Sequence, residues 1–241
     1  MTISSWIQSA FAPEQRKTTI ILLAAPVLMT TFKYYGSHTF FSTRLLPEFS
    51  GVNPPGQAAE IYLFCSSAFW LGLIPWLIIR GIFHERLADY GVRMGDFRFG
   101  LKAFALLAPI FVIATWPSAR MPEFMAEYPF WKQAGQNAGS FLVHAGSYLL
   151  FYLGWEFFFR GFLQFGLRPR LGDVNAVLVQ TLASCLLHIG KPAPEIYGSI
   201  LAGLVWGWLV FRTGSLLFVV LLHWLLGVSL DLFLCFPPAV K

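Results

Sequence analysis

Seven stretches of this 241-residue chain stay apolar for about the length a helix needs to cross a bilayer, roughly 20 residues at 1.5 Å each. They run about 18–36, 57–82, 100–117, 139–166, 173–190, 195–212 and 214–236. The expected fold is therefore all-α. It is a polytopic membrane helical bundle of seven helices, or eight if the loop 118–138 hides another. The whole chain, 1–241, reads as a single integral membrane domain.

Composition supports this. Hydrophobic residues make up 56% and charged residues 12%, where a soluble domain carries about 25% charged. Most of the sequence therefore does not face water. The net charge of +5 does not point to nucleic acid, because the basic residues sit in short loops between apolar stretches. Cys65, Cys185 and Cys235 show no CxxC spacing and read as small apolar residues. The first apolar stretch begins near Thr18, after Arg16 and Lys17, and reads as an uncleaved first span. Residues 6–12 could lie on the membrane surface. With the N-terminus inside, ten Lys and Arg fall on the inner side and six on the outer. The positive-inside rule then gives a cytoplasmic N-terminus. The expected home is a bacterial inner membrane, with the lipid bilayer as partner.

Two connecting segments stand out. RMPEFMAEYPFWKQ (120–133) mixes acids with Met, Phe and Trp and suits an interfacial helix or a lid. HERLADYGVRMGDFRFG (84–100) reads as a solvated connector with a short amphipathic start.

Ionisable groups inside apolar helices cost about 2.5–3.5 kcal/mol each at the helix centre, so they are kept for pairing, for a pathway or for catalysis. Glu156 and Arg160 are four residues apart, on one helical face. Alone they could be a structural staple. His188 ends the fifth stretch and His223 sits within the seventh, and both fall at a depth comparable with Glu156. A carboxylate with imidazoles around a water pocket suits water activation, by a general base with polarising partners or through a bound metal. In HIGKPAPE (188–195), Pro192 and Pro194 break the helix, and a break at depth needs protein or a cavity to receive its polar groups. Glu195 lies just past that break. Asp231, eight residues after His223, could line the pocket or orient a histidine. His144 reads as structural.

The run Glu156-Phe-Phe-Phe-Arg160-Gly161, followed by His188 and then His223 on separate spans, resembles the CAAX-type membrane endopeptidases of the CPBP family. The resemblance covers about 80–235. It implies a protease in which a glutamate and a histidine activate water. A further His, with Asn or Asp four residues on, binds the oxyanion. Family members carry two adjacent glutamates before the arginine motif. Here Trp155 stands in the first position and Glu156 in the second. Ser184 stands where Phe is usual before the first His, and Gly227 where Asn or Asp is usual after the second. Glu156, Arg160, His188 and His223 match. The water-activating carboxylate is then Glu156 itself or Glu195 as a substitute, and Asp231 is a candidate for the missing Asn or Asp.

The resemblance implies an intramembrane endopeptidase, glutamate-type or metallo, acting near the end of a hydrophobic or membrane-anchored peptide. A metal-free route is preferred, because no HExxH spacing occurs. If zinc is present, Glu156, His188 and His223 are its candidate ligands. The alternatives are a non-catalytic membrane scaffold or immunity-type relative, and a transporter.

Overall fold

The computed structural model describes residues 2–46 and 55–237. Among them there are helices and turns and no strand. We number the helices α1 (Ile3–Ala10), α2 (Pro13–Tyr35), α3 (Gly56–Phe83), α4 (Phe97–Ser118), α5 (Pro122–Glu127), α6 (Ala138–Glu156), α7 (Gly166–Leu187), α8 (Ala193–Thr213) and α9 (Leu217–Cys235). α6 runs on without a break through a π-helical stretch, Phe157–Phe165, into α7. Gly172, at φ 73°, bends α7 near its start.

Among the described residues, five helices are long and apolar enough to cross a membrane: α2, α3, α4, α8 and α9. The expected spans 139–166 and 173–190 are helical, but they carry His144, Glu156, Arg160, Gln164, Gln180 and Ser184 as buried polar residues. That polarity makes 139–166 less apolar, and the helix holding the other stretch also takes in Arg168, Arg170 and Asp173 at its start. No eighth crossing exists in 118–138, because α5 has only six residues. The amphipathic start expected in 84–100 is a 3-10 turn, Leu87–Tyr90, tied down where Glu85 accepts hydrogen bonds from Lys17 and Tyr90.

α6 organises the bundle. Phe141, His144, Tyr148, Tyr152 and Trp155 recur every three or four residues and form one buried face. Leu142 and Val143 point the other way and are exposed. α3 and α9 pack against α6, while α2 and α8 pack against α7 and α4 against α9. Close approach is built into the sequence. A Cβ at Gly154 would lie 2.4 Å from the Ser67 carbonyl oxygen, so α3 and α6 touch through their backbones. Ser67 Oγ donates to the Phe151 carbonyl at 2.9 Å across the same contact. Small residues at such crossings are the usual basis of helix association in lipid. On the outer surface of α4, Leu106 and Ile113 are 68% and 70% exposed, a face suited to lipid rather than water. The chain is an integral membrane protein.

Candidate active site

Glu156 and Arg160 come together as their spacing requires, with Arg160 Nη1 donating to Glu156 Oε1 at 3.2 Å. Both are buried, at 0% and 1% exposure. The same Oε1 lies 2.6 Å from His223 Nδ1. A hydrogen bond there places the Nδ1 proton toward the carboxylate, as the aspartate of a Ser-His-Asp triad orients its histidine. His223 Nε2 is thereby left for other partners. Tyr152 and Trp206 flank the ring, with centroids 4.4 and 4.5 Å away.

His188 caps the C-terminus of α7, where its Nδ1 lies 2.7 Å from the Ser184 carbonyl oxygen. A carbonyl can only accept, so Nδ1 carries the proton and Nε2 is an acceptor in the neutral ring. Trp155 packs edge-on against His188 at 5.1 Å and stacks on Phe151 at 5.4 Å. The chain then turns through Gly190, at φ 100°, and re-enters a helix at Ala193 after Pro192. Glu195 sits in the first turn of α8, where the helix dipole favours a carboxylate. Its Oε1 accepts from the Tyr128 hydroxyl at 2.8 Å. Its Oε2 is buried with no protein hydrogen-bond partner. Burial, and next the charge of Glu195, push the Tyr128 phenol well above its ordinary value, so it remains a donor.

Two adjoining cavities of about 450 and 810 Å³ share His188, Glu195, His223, Tyr128, Tyr148 and Tyr152 in their walls. The smaller one continues between apolar residues of α4, α8 and α9, among them Phe111, Leu201, Val205 and Leu226, and takes in Arg160. The larger one reaches Lys33, Arg44, Lys132 and Lys191. Glu156 lines neither and meets them through His223. Sequence reasoning picked out His188, His223 and Glu195, and the fold brings these three to one space.

The departures from the family pattern have a structural form. A Cβ at Gly227 would lie 2.0 Å from the Tyr152 hydroxyl oxygen. The space where the family places Asn or Asp is thus filled by a phenol from α6. Asp231 does not take that place. It belongs to a separate buried cluster, in which its Oδ2 lies 2.9 Å from His144 Nε2 while His144 Nδ1 lies 2.8 Å from Glu60 Oε1. Asp231 lines neither cavity. Sequence reasoning missed Tyr128, Tyr152 and Glu60. No local spacing marks them, because each meets its partner across the fold.

The zinc alternative requires Glu156, His188 and His223 to act as ligands. Among the described residues, no three His, Cys, Asp or Glu side chains are grouped to hold a metal ion. Glu156 Oε1 is shared by His223 and by the Arg160 guanidinium, and a cation placed there would face that positive charge. These side chains do not make a preformed zinc site.

Residues 137–229 match a family model, that of the type II CAAX prenyl endopeptidase Rce1-like proteins. This is the family whose motifs the sequence resembles, and at family level the match supports a membrane endopeptidase. No curated protein and no solved structure matches the chain.

Proposed function

We propose that the chain is an intramembrane endopeptidase that cuts near the end of a hydrophobic or membrane-anchored peptide, with Glu195 as the base. The observation that carries this is the Glu195 carboxylate. One oxygen is fixed by Tyr128, the other is buried without a protein partner, and the residue lines a cavity together with His188 and His223. Glu156 is the weaker candidate, because it lines neither cavity and meets them through its partners His223 and Arg160.

In this reading a water held by Glu195 and His188 Nε2 attacks the scissile carbonyl carbon. Its proton passes to Glu195, and the carbonyl π electrons move onto oxygen. The Tyr152 hydroxyl donates to that oxyanion, beside the His223 ring that Glu156 holds in place. When the tetrahedral intermediate collapses, the C–N bond breaks and Glu195 returns the proton to the leaving nitrogen. No metal is needed for these steps. The apolar walls of the smaller cavity suit the hydrophobic part of a substrate, and the lysines around the larger one suit a terminal carboxylate.

The test is cleavage of hydrophobic tail peptides by membranes carrying wild-type protein, Glu195→Gln, His188→Ala or His223→Ala. Each variant is expected to lose at least about a hundredfold in rate, the usual scale for removing an acid–base group. Cleavage is expected to survive a chelator. Undiminished cleavage in all three variants would sink the peptidase as drawn. A non-catalytic relative remains the second reading, favoured by Trp155, which packs into the aromatic core where the family has its first glutamate.

A further inference from the structure

The cluster Glu60–His144–Asp231 takes no part in the steps above, yet it is an expensive thing to bury. Its side chains are 0–1% exposed and come from α3, α6 and α9. Both imidazole nitrogens face carboxylate oxygens, so two hydrogen bonds need two protons among the three groups. Wherever those protons sit, the cluster then carries one net negative charge. Glu60 Oε2 and Asp231 Oδ1 are buried without partners. Well-packed apolar residues would join three helices at least as well as such a cluster. What an apolar trio would not supply is an acceptor for a backbone N–H, and Glu60 provides one: its Oε1 accepts from the Trp131 amide at 3.2 Å.

Trp131 belongs to the segment between α5 and α6 that carries Tyr128. Lys132 Nζ, one residue on, donates to the carbonyls of Met125, Ala126 and Tyr128 at 3.1, 2.8 and 2.8 Å. Lys191 pairs with Glu127 at 2.5 Å and lies over the Tyr128 ring at 4.8 Å. The segment is thus gathered into one piece by Lys132, held from the side by Lys191 and fixed from beneath by Glu60. Its Tyr128 hydroxyl reaches Glu195.

We infer that Glu60, His144 and Asp231 are positioning residues for Glu195, acting through the Trp131 amide and the Tyr128 hydroxyl. His144 and Asp231 keep the Glu60 carboxylate aimed at the segment. The segment in turn keeps Tyr128 on one oxygen of Glu195 and leaves the other without a protein partner. This inference rests on Glu195 being the working carboxylate, and its first test needs no activity.

Purified full-length protein in detergent is compared with Glu60→Ala, Glu60→Gln, His144→Gln and Tyr128→Phe. Two quantities are read: hydrogen exchange of the 128–134 amides, and carbodiimide labelling of Glu195 by mass spectrometry. Glu60→Ala and His144→Gln are expected to speed exchange at Trp131 at least tenfold and to raise Glu195 labelling several-fold. Tyr128→Phe is expected to raise the labelling alone. Glu60→Gln keeps an acceptor oxygen and should stay near wild type in both. Should Glu60→Ala fail to fold, the near-isosteric His144→Gln carries the same decision. Wild-type exchange in the folded variants, or faster exchange with unchanged Glu195 labelling, overturns the inference. Where peptide cleavage is measurable, Glu60→Ala and Tyr128→Phe should lower kcat with KM little changed, and Glu60→Gln should restore it. Absence of cleavage in wild type would instead count against the peptidase and leave the exchange and labelling results to decide this point.

Discussion

Gly227 is a glycine because of a residue 75 positions earlier: any Cβ there would overlap the Tyr152 hydroxyl. Gly227→Ala should therefore cost about 1–3 kcal/mol, the usual range for overpacking a tight site. Tyr152→Phe removes the nearest atom but leaves ring carbon 2.9 Å from that Cβ, so the double variant should recover part of the loss. A double-mutant cycle on detergent unfolding midpoints checks this, and purely additive effects would contradict the contact. Arg160 gives a second test. It is the guanidinium bonded to the buried Glu156 carboxylate. Arg160→Met should cost about 3–5 kcal/mol by stranding that charge, while Arg160→Met with Glu156→Gln should cost clearly less. Unfolding of the single and double variants decides between this and simple loss of packing. The Glu156–Arg160 pair was legible from its spacing of four. The Tyr152–Gly227 contact was not, because nothing in a sequence tells a glycine that another helix's phenol requires it.

Helices were legible in proportion to how far their apolar pattern survived function. α2, α3, α4, α8 and α9 keep it and are long and apolar enough to cross. α6 carries buried polar groups, so the residues that advertised a site also blurred that span, while α7 starts with the exposed Arg168, Arg170 and Asp173. The buried cluster was hidden for another reason: His144 lies 84 and 87 residues from its two partners, so helical periodicity cannot reveal it. Element ends also make predictions. Asp96 caps α4 by accepting from the Phe99 amide at 3.1 Å, and it pairs with Arg212 at 2.9 Å. The Phe99 amide first, and Arg212 next, hold its carboxyl below the ordinary value. A carboxyl depressed in the folded state adds stability above its unfolded pKa, about 3.9. That contribution is lost as pH falls through the lower folded value. The difference in unfolding temperature between wild type and Asp96→Asn should thus be larger at pH 7 than at pH 3. Equal differences at both pH values would show that the cap does not discriminate the ionised form.

At the scale of the whole molecule, the cavities lie toward one end of the bundle. α2, at 23 residues about 35 Å long, separates the two ends: Lys17 near its start bonds Glu85, and Lys33 near its finish donates to the Ile189 carbonyl beside His188. Lys33, Lys132, Lys191 and the α5 segment share the cavity end. Arg93, Arg168 and Arg212 fall at the Lys17 end, where the 84–96 connector joins Arg93 to the Gly214 carbonyl and Asp96 to Arg212. The excess of basic residues at the Lys17 end is the charge bias that retains a loop in the cytoplasm. On this rule we propose that the Lys17 end faces the cytoplasm, which would put the cavity mouth on the far side. In a background with the three native cysteines replaced by alanine, Glu123→Cys should react with a membrane-impermeant maleimide on intact cells. Arg170→Cys, at the opposite end and exposed, should react only after permeabilisation. The reverse labelling would turn the cavity toward the cytoplasm. The lysines at its mouth would then share a compartment with newly made membrane-anchored proteins, and the search for a substrate would move there.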